Sequence, residues 1–406
     1  MRNLKRLKFG IYLKLLCGIL YRSVIIEGRY LDEILRKLYS ELLNSTDTFD
    51  AEKGAGQDLL APTIILRDPR ARISATSNRG NLISALGEFC WYMSGSADLE
   101  FIRFYIPKYP PDGINGSIED AYGPRLIGTG EFGRSVRQID RVIDRLKRKP
   151  DTRRAVISIL EPSDLEPGRS DAPCTTALQF IRRRGHLHLV AMMRSNDAYW
   201  GFPHDVFCFT LFQEYVARSL GVKVGEYHHF ATSLHLYDRH VREACDYLDE
   251  GFQNPTFAMP KMPSGCQKEN LSAFLKVEER IRKGLITSAD QIVLPEYWYD
   301  LSLVLLRCAD IRFKRGMKFL DNNFSKIKNN FYKNDLPPSG WSEINVILDT
   351  EGKDECHSRN TRRRRLSASC VRRRLCWRRA GRPQMPVVGY RSASRPITVG
   401  ARSMAV

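Results

Sequence analysis

Apolar positions recur at spacings of three and four in GRYLDEILRKLYSELL (28–43), which predicts an amphipathic helix. A second helix is expected over 76–95, TSNRGNLISALGEFCWYMSG, with Asn78 or Asn81 near its start and Gly95 near its end. RQIDRVIDRLKRKPD (137–151) reads as a third, stopped by Pro150. RRAVISIL (153–160) reads as a strand, and 176–195 as two strands joined at Arg-Arg-Gly, with alternation after the turn. DVFCFTLFQEYVARSLG (205–221) is an apolar helix ending at a Gly, so that Asp205 would open it as an N-cap. Residues 228–237 form a further strand and 238–251 a further helix. Patterning weakens over 252–350 and vanishes over 356–406. Strands and helices in this order imply an α+β (mixed α/β) fold with one main sheet.

Composition changes the picture mainly at the C-terminal end. Residues 356–406 hold 14 Arg, no Lys and no Asp or Glu; taking those 14 from the net charge of +18 leaves +4 for residues 1–355. The basicity therefore belongs to a tail, and the body is not a basic nucleic-acid binder. Three parts are expected: an N-terminal extension (1–24), a catalytic domain (25–350) and a basic tail (351–406). The tail is either a disordered basic arm or an out-of-frame translation, and the abrupt change of composition favours the second. The N-terminus has basic residues and then an apolar run broken by Lys14, with no small-residue cleavage site. It reads as an extension or a surface helix, with a signal peptide as the alternative. The ten Cys include no CxxC pair and no zinc spacing, and several lie in apolar runs, as in a reducing compartment. No metal site and a cytoplasmic protein are the expectations.

Within the body, DAPCTTALQF (171–180) places Cys174 after a Pro at the mouth of a strand, with no second Cys nearby. A thiolate is a strong nucleophile once its pKa is lowered, and a nearby Arg does that. Arg153, Arg154 and Arg194 are the candidates, and Arg also grips phosphate in a bidentate manner. A phosphorylated substrate is one reading; a buried packing Cys and a solvated Arg pair are the other. Glu88, in the otherwise apolar EFCWYM, is a carboxylate whose setting calls for a reason.

The runs PCTTALQF, MRSNDAYWGFPHDVF and SLHLYDRH resemble the thymidylate synthase superfamily, which includes the cytidylate hydroxymethylases. DTRRAVIS, GEFCWYMSG and AYGPR resemble further motifs of it, in the same order, over roughly residues 25–250. The resemblance implies its fold, with the main sheet at a homodimer interface and helices flanking it. It implies that Cys174 adds to C6 of a pyrimidine nucleoside monophosphate, and that C5 then takes a one-carbon unit from 5,10-methylenetetrahydrofolate. Glu88 would organise proton transfers and Tyr122 would assist removal of the C5 proton. Arg194 and Ser195 would hold phosphate, and Arg153 and Arg154 would reach the phosphate of the neighbouring subunit. His235 and Tyr237 would bond the sugar hydroxyl. Asp197 and Gly201 would meet the folate.

Asp205 departs from the Asn of thymidylate synthases. Asn suits uracil, whereas a carboxyl group suits the amine and bare N3 of cytosine. The segment YIPKYPPDGINGSIEDAYG (105–123) lacks the family's Trp, and Thr175 replaces a His, which leans toward a wetter site and a hydroxymethyl product. The reading is a cytidylate hydroxymethylase, with thymidylate synthase as the alternative. A nucleic-acid-binding or inactive homologue with a basic tail is the further alternative. Nucleic-acid contact is expected only through the tail. The N-terminal phosphate contact stays open among Arg67, Arg70 and Arg72, with Arg70 ahead.

Overall fold

The computed structural model describes residues 24–76, 82–109, 116–128, 137–169, 171–251 and 258–335. Asn78, Asn81, nearly all of the N-terminal extension and the whole basic tail lie outside these residues. The chain enters through β1 (Ile25–Gly28) and α1 (Leu31–Asn44), then β2 (Thr48–Ala51), β3 (Gly54–Leu60) and β4 (Thr63–Leu66). Four helices follow: α2 (Leu82–Ser94), α3 (Leu99–Tyr105), α4 (Tyr122–Ile127) and α5 (Gln138–Arg148). The centre is β5 (Val156–Ser158), β6 (Thr175–Arg183), β7 (His186–Asp197), α6 (Gly201–Ser219) and β8 (Lys223–Tyr237). Helices α7 (Val241–Asp249), α8 (Lys268–Arg282), α9 (Glu296–Arg312) and α10 (Met317–Ser325) complete the described chain. It is an α+β fold with one eight-stranded mixed sheet.

The sheet runs β1-β4-β8-β7-β6-β5. The long β8 pairs with β4 through Tyr227–Phe230 and with β3 through Ser233–Tyr237, and β2 pairs β3. β6 and β7 form a hairpin closed by Arg184 and Gly185, both at positive φ (49° and 74°), the backbone that a two-residue turn needs to match strand twist. β7 and β8 are parallel, so α6 must cross between them, and it packs on both. One face of the sheet is covered by helices. The other leaves Val156, Ile181, Val190, Met192 and Phe230 partly or fully exposed on neighbouring strands.

Several element boundaries differ from the pattern reading. α6 begins at Gly201, not at 205, because Pro203 sits in the first turn, where no backbone N–H is needed. Asp205 is therefore inside the helix and is not its N-cap. The strand expected over 153–160 is only Val156–Ser158, and Arg153 and Arg154 precede it. Among the described residues from 258 to 335 the weak pattern hides three α-helices. α9 is buried nearly all round, so polar and apolar residues do not alternate along it. α8 does show a stripe, with Leu271, Phe274, Glu278 and Ile281 inward.

Candidate active site

Cys174 lies at the mouth of β6, between two neighbours that fix it. Its carbonyl accepts the backbone N–H of Arg194 (2.8 Å), which ties it to β7. The Arg194 side chain folds back over the same turn, donating from Nε to the Pro173 carbonyl (3.1 Å) and from Nη2 to that of Ala172 (2.5 Å). Nη2 also faces Asp171 Oδ1 at 3.4 Å. The guanidinium thus stands beside the thiol with part of its surface open. Burial nevertheless pushes the Cys174 thiol up to about 11; Arg194 works against this, while Asp205, Asp171 and Asp120 add to it. Within one chain, Arg194 alone does not produce the lowered thiol that the sequence suggested.

Behind Cys174 is a buried polar and aromatic wall. Tyr122 opens α4, and its hydroxyl accepts the backbone N–H of Thr175 (3.0 Å). Tyr122 stacks on Tyr92, with ring centroids 5.1 Å apart. The Tyr92 hydroxyl donates to Glu88 Oε1 (2.9 Å), and Glu88 Oε2 meets His204 Nδ1 (2.9 Å). His204 Nε2 in turn lies 3.1 Å from Ser84 Oγ. Glu88 projects from α2 and His204 from α6, and these two buried helices pack together. Tyr109 rests edge-on against Trp91. Burial pushes its hydroxyl well up, with Glu88, Asp120, Asp205 and Cys174 adding to the shift. The segment without Trp therefore contributes a Tyr ring to this wall.

Asp205 projects from the second turn of α6. Its Oδ2 accepts from Asn196 Nδ2 at 2.8 Å. Burial first, and Glu88 second, push the Asp205 carboxyl well above the ordinary carboxylate range. Asn196 is itself 3% exposed, and its Oδ1 has no partner among the described residues. A Cβ at Gly201 would stand 3.1 Å from Asn196 Nδ2 and 3.7 Å from Asp197 Cβ, so a side chain there would crowd both residues. Asp197 Oδ1 accepts the backbone N–H of Tyr199 (2.8 Å).

The far side of the site is the C-terminal end of β8. Asp197 pairs in register with His235, and Ser195 with Ser233. The rings of His235 and Tyr237 meet edge-on at 4.8 Å, as the strand alternation predicts. His235 Nε2 is buried without a partner, and burial lowers the ring pKa to about 4, so the imidazole is neutral at physiological pH. Arg239 lies 3.9 Å over the Tyr237 ring and donates to the Lys53 carbonyl (2.8 Å). Lys53 Nζ reaches Asp171 (2.5 Å). Lys53, Arg194 and Arg239 thus form a cationic rim near Cys174.

Sequence reasoning named neither Lys53 nor Arg239, nor His204 or Asn196. Arg239 lies in the 3-10 turn Asp238–His240 that follows β8, beyond the reach of strand alternation. Lys53 joins only because β3 pairs with β8, a long-range event with no local trace. Conversely, Arg67, Arg70 and Arg72 are engaged elsewhere. Arg72 is buried against Glu214 (2.5 Å), Arg67 pairs with Glu27 and Glu226, and Arg70 donates to the Met259 carbonyl (3.1 Å). Arg153 and Arg154 are exposed at the sheet margin, where Gln179 donates to the Arg153 carbonyl. Among the described residues, His188, Glu226 and His228 are one group with metal-ligand spacing. However, His188 Nδ1 already accepts the Glu226 N–H (3.1 Å), which leaves Nε2 protonated, and Glu226 is held by Arg67 and His228.

A sequence model of the thymidylate synthase family matches residues 72–278. Every site residue expected from the sequence lies inside that span except the phosphate-contact candidates Arg67 and Arg70, and Lys53 lies outside it too.

Proposed function

The chain belongs to the thymidylate synthase family, and from that premise we propose that it is a cytidylate 5-hydroxymethylase. The family's reaction is a folate-dependent one-carbon transfer to C5 of a pyrimidine nucleotide. The observation that carries the choice of base is the Asp205–Asn196 pair. Because Oδ2 already accepts an N–H, a proton on the Asp205 carboxyl is better placed on Oδ1. Such a carboxyl donates from Oδ1 and accepts at Oδ2, which matches the N3 lone pair and N4 amine of cytosine. The unpartnered Asn196 Oδ1 supplies an acceptor for the second N4 hydrogen, a place where the O4 of uracil would meet a lone pair.

The other roles follow from position. The cationic rim of Lys53, Arg194 and Arg239 receives the phosphate, together with Ser195, and unpartnered His235 Nε2 with Tyr237 receives the sugar hydroxyl. Cys174 attacks C6, which transfers electron density to C5. Methylenetetrahydrofolate supplies the one-carbon unit; Asp197 and the cleared space at Gly201 suit its approach. Glu88, held between Tyr92 and His204, relays protons, and Tyr122 faces the C5 proton.

A second copy completes the site. The uncovered sheet face, with Val190, Met192, Ile181 and Phe230, is apolar enough to pack on itself about a two-fold axis. Arg153 and Arg154 stand at its margin and would enter the partner's site, where they oppose the burial that holds Cys174 protonated. A cytoplasmic location accords with the free Cys.

The test is a parallel assay of dCMP, CMP, dUMP and UMP with methylenetetrahydrofolate, with product masses read directly. A hydroxymethylated cytidylate is expected. Thymidylate from dUMP, with no reaction of either cytidylate, would overturn the choice of base and leave the family reaction intact.

A further inference from the structure

The described chain has a cavity of about 520 Å³ at the opposite end of β8 from His235. Val224 lines it, and at the usual strand rise it stands about 35 Å along β8 from His235. Arg29, Arg67, Arg70, Arg218, Lys223 and Lys261 line it, with Asp68 as the sole acid among the lining residues. Its floor is also overcharged. Arg72 and Arg218 share one buried carboxylate, Glu214, at 2.5 and 3.6 Å. Arg218 is 8% exposed, and its Nε has no partner; neither do Nε and Nη1 of Arg72 behind it. Two buried guanidinium groups on one carboxylate leave a positive charge uncompensated, which is costly unless an anion approaches. The walls are held in place. Asp68 accepts the Arg70 N–H on Oδ1 (3.2 Å), and the Arg70 carbonyl accepts the Met259 N–H (2.9 Å).

We propose that this cavity is a binding site for a small polyphosphate, separate from the nucleotide site. Its volume is that of a small-molecule pocket, and its cations are spread around the wall, which favours a ligand with several phosphates over a single one. Pro69 and Val224 offer little flat surface for a base, so the phosphates carry the affinity. The donor is either inorganic polyphosphate or the chain of a nucleoside triphosphate.

The test is site-resolved amine labelling of the full-length protein. A limiting acetylating ester is applied with and without sodium tripolyphosphate at matched ionic strength, and each lysine is read by peptide mass spectrometry. Residues 356–406 hold 14 Arg but no Lys, so polyanions attracted there do not enter the readout. Acetylation of Lys223 and Lys261 is expected to fall at least fivefold and saturably, while Lys283, paired with Glu279 on α8, stays unchanged. Equal protection by adenosine triphosphate assigns the affinity to phosphates alone, and stronger protection points to a nucleoside triphosphate. Arg29→Gln and Arg218→Gln should each weaken protection at least threefold; Arg29 is exposed, so its variant does not depend on refolding the core. Unchanged acetylation with tripolyphosphate would overturn the proposal. So would full protection in the Arg29→Gln protein, or protection by an RNA oligonucleotide alone.

Discussion

Cys174 shows how one residue's chemistry depends on what surrounds it. Burial outweighs Arg194 and holds its thiol protonated in a single chain, so reactivity must come from additional positive charge or from substrate binding. Replacing Cys174 with Ala should lower turnover by a factor on the order of 10³ or more while nucleotide affinity measured by calorimetry stays near wild type. Normal turnover by Cys174→Ala would remove it as the nucleophile. Asp205 is the second informative residue. Its motif position was legible, but its place within α6 was not, since a Pro in a helix's first turn is easily read as a breaker. Asp205→Asn should shift the cytosine-to-uracil ratio of kcat/KM toward uracil on the order of 100-fold, the scale of one mismatched buried hydrogen bond. An unaltered ratio would mean that the base is chosen elsewhere. Asn196 escaped sequence reasoning because it sits between the two residues of interest in RSND, and only the fold turns its amide onto Asp205.

At the level of elements, β8 organises the molecule. It carries the His235–Tyr237 pair at one end, borders the cationic cavity at the other, and buries His229 between them. His229 is fully buried, its Nδ1 lies 2.8 Å from the Tyr227 hydroxyl, and Phe202 stands edge-on to its ring. Burial lowers its pKa to about 3 from the ordinary 6.5. The unfolded chain therefore takes up a proton near pH 6.5 that the folded chain refuses until about 3. The stabilisation from neutral His229 is full above 6.5 and is lost as pH falls, by up to ~1.4 kcal/mol per pH unit. Raised carboxyls such as Asp205 and Glu278 act in the opposite sense, so wild type must be compared with His229→Gln. Between pH 7 and 5 the urea midpoint of wild type should fall relative to that of the variant. Parallel midpoints would show that His229 is protonated in the fold. The β6–β7 hairpin was legible because turn chemistry is local. Helix α9 was not, because a helix buried on nearly every side shows no polar face to mark its period; the stripe of α8 was available and went unread.

For the whole molecule, the arrangement of Arg153 and Arg154 at the margin of an uncovered sheet face predicts shared sites. Mixing Cys174→Ala protein with the Arg153→Gln, Arg154→Gln double variant should restore about a quarter of wild-type activity. Random exchange makes half the dimers mixed, each with one working site. No recovery after verified subunit exchange would confine each site to a single chain. The motifs, their order, the sheet and the place of Cys174 at the mouth of a strand could all be read from residue order, because strand alternation, turn chemistry and motif spacing are local properties. Three things needed the folded chain: the cationic rim that brings Lys53 to Asp171, the Asp205–Asn196 acid–amide pair, and the overcharged cavity beside β4. Each joins residues far apart in sequence or turns a side chain by burial. Burial and long-range pairing are sums over the whole fold, and they leave no mark at any one position of the chain.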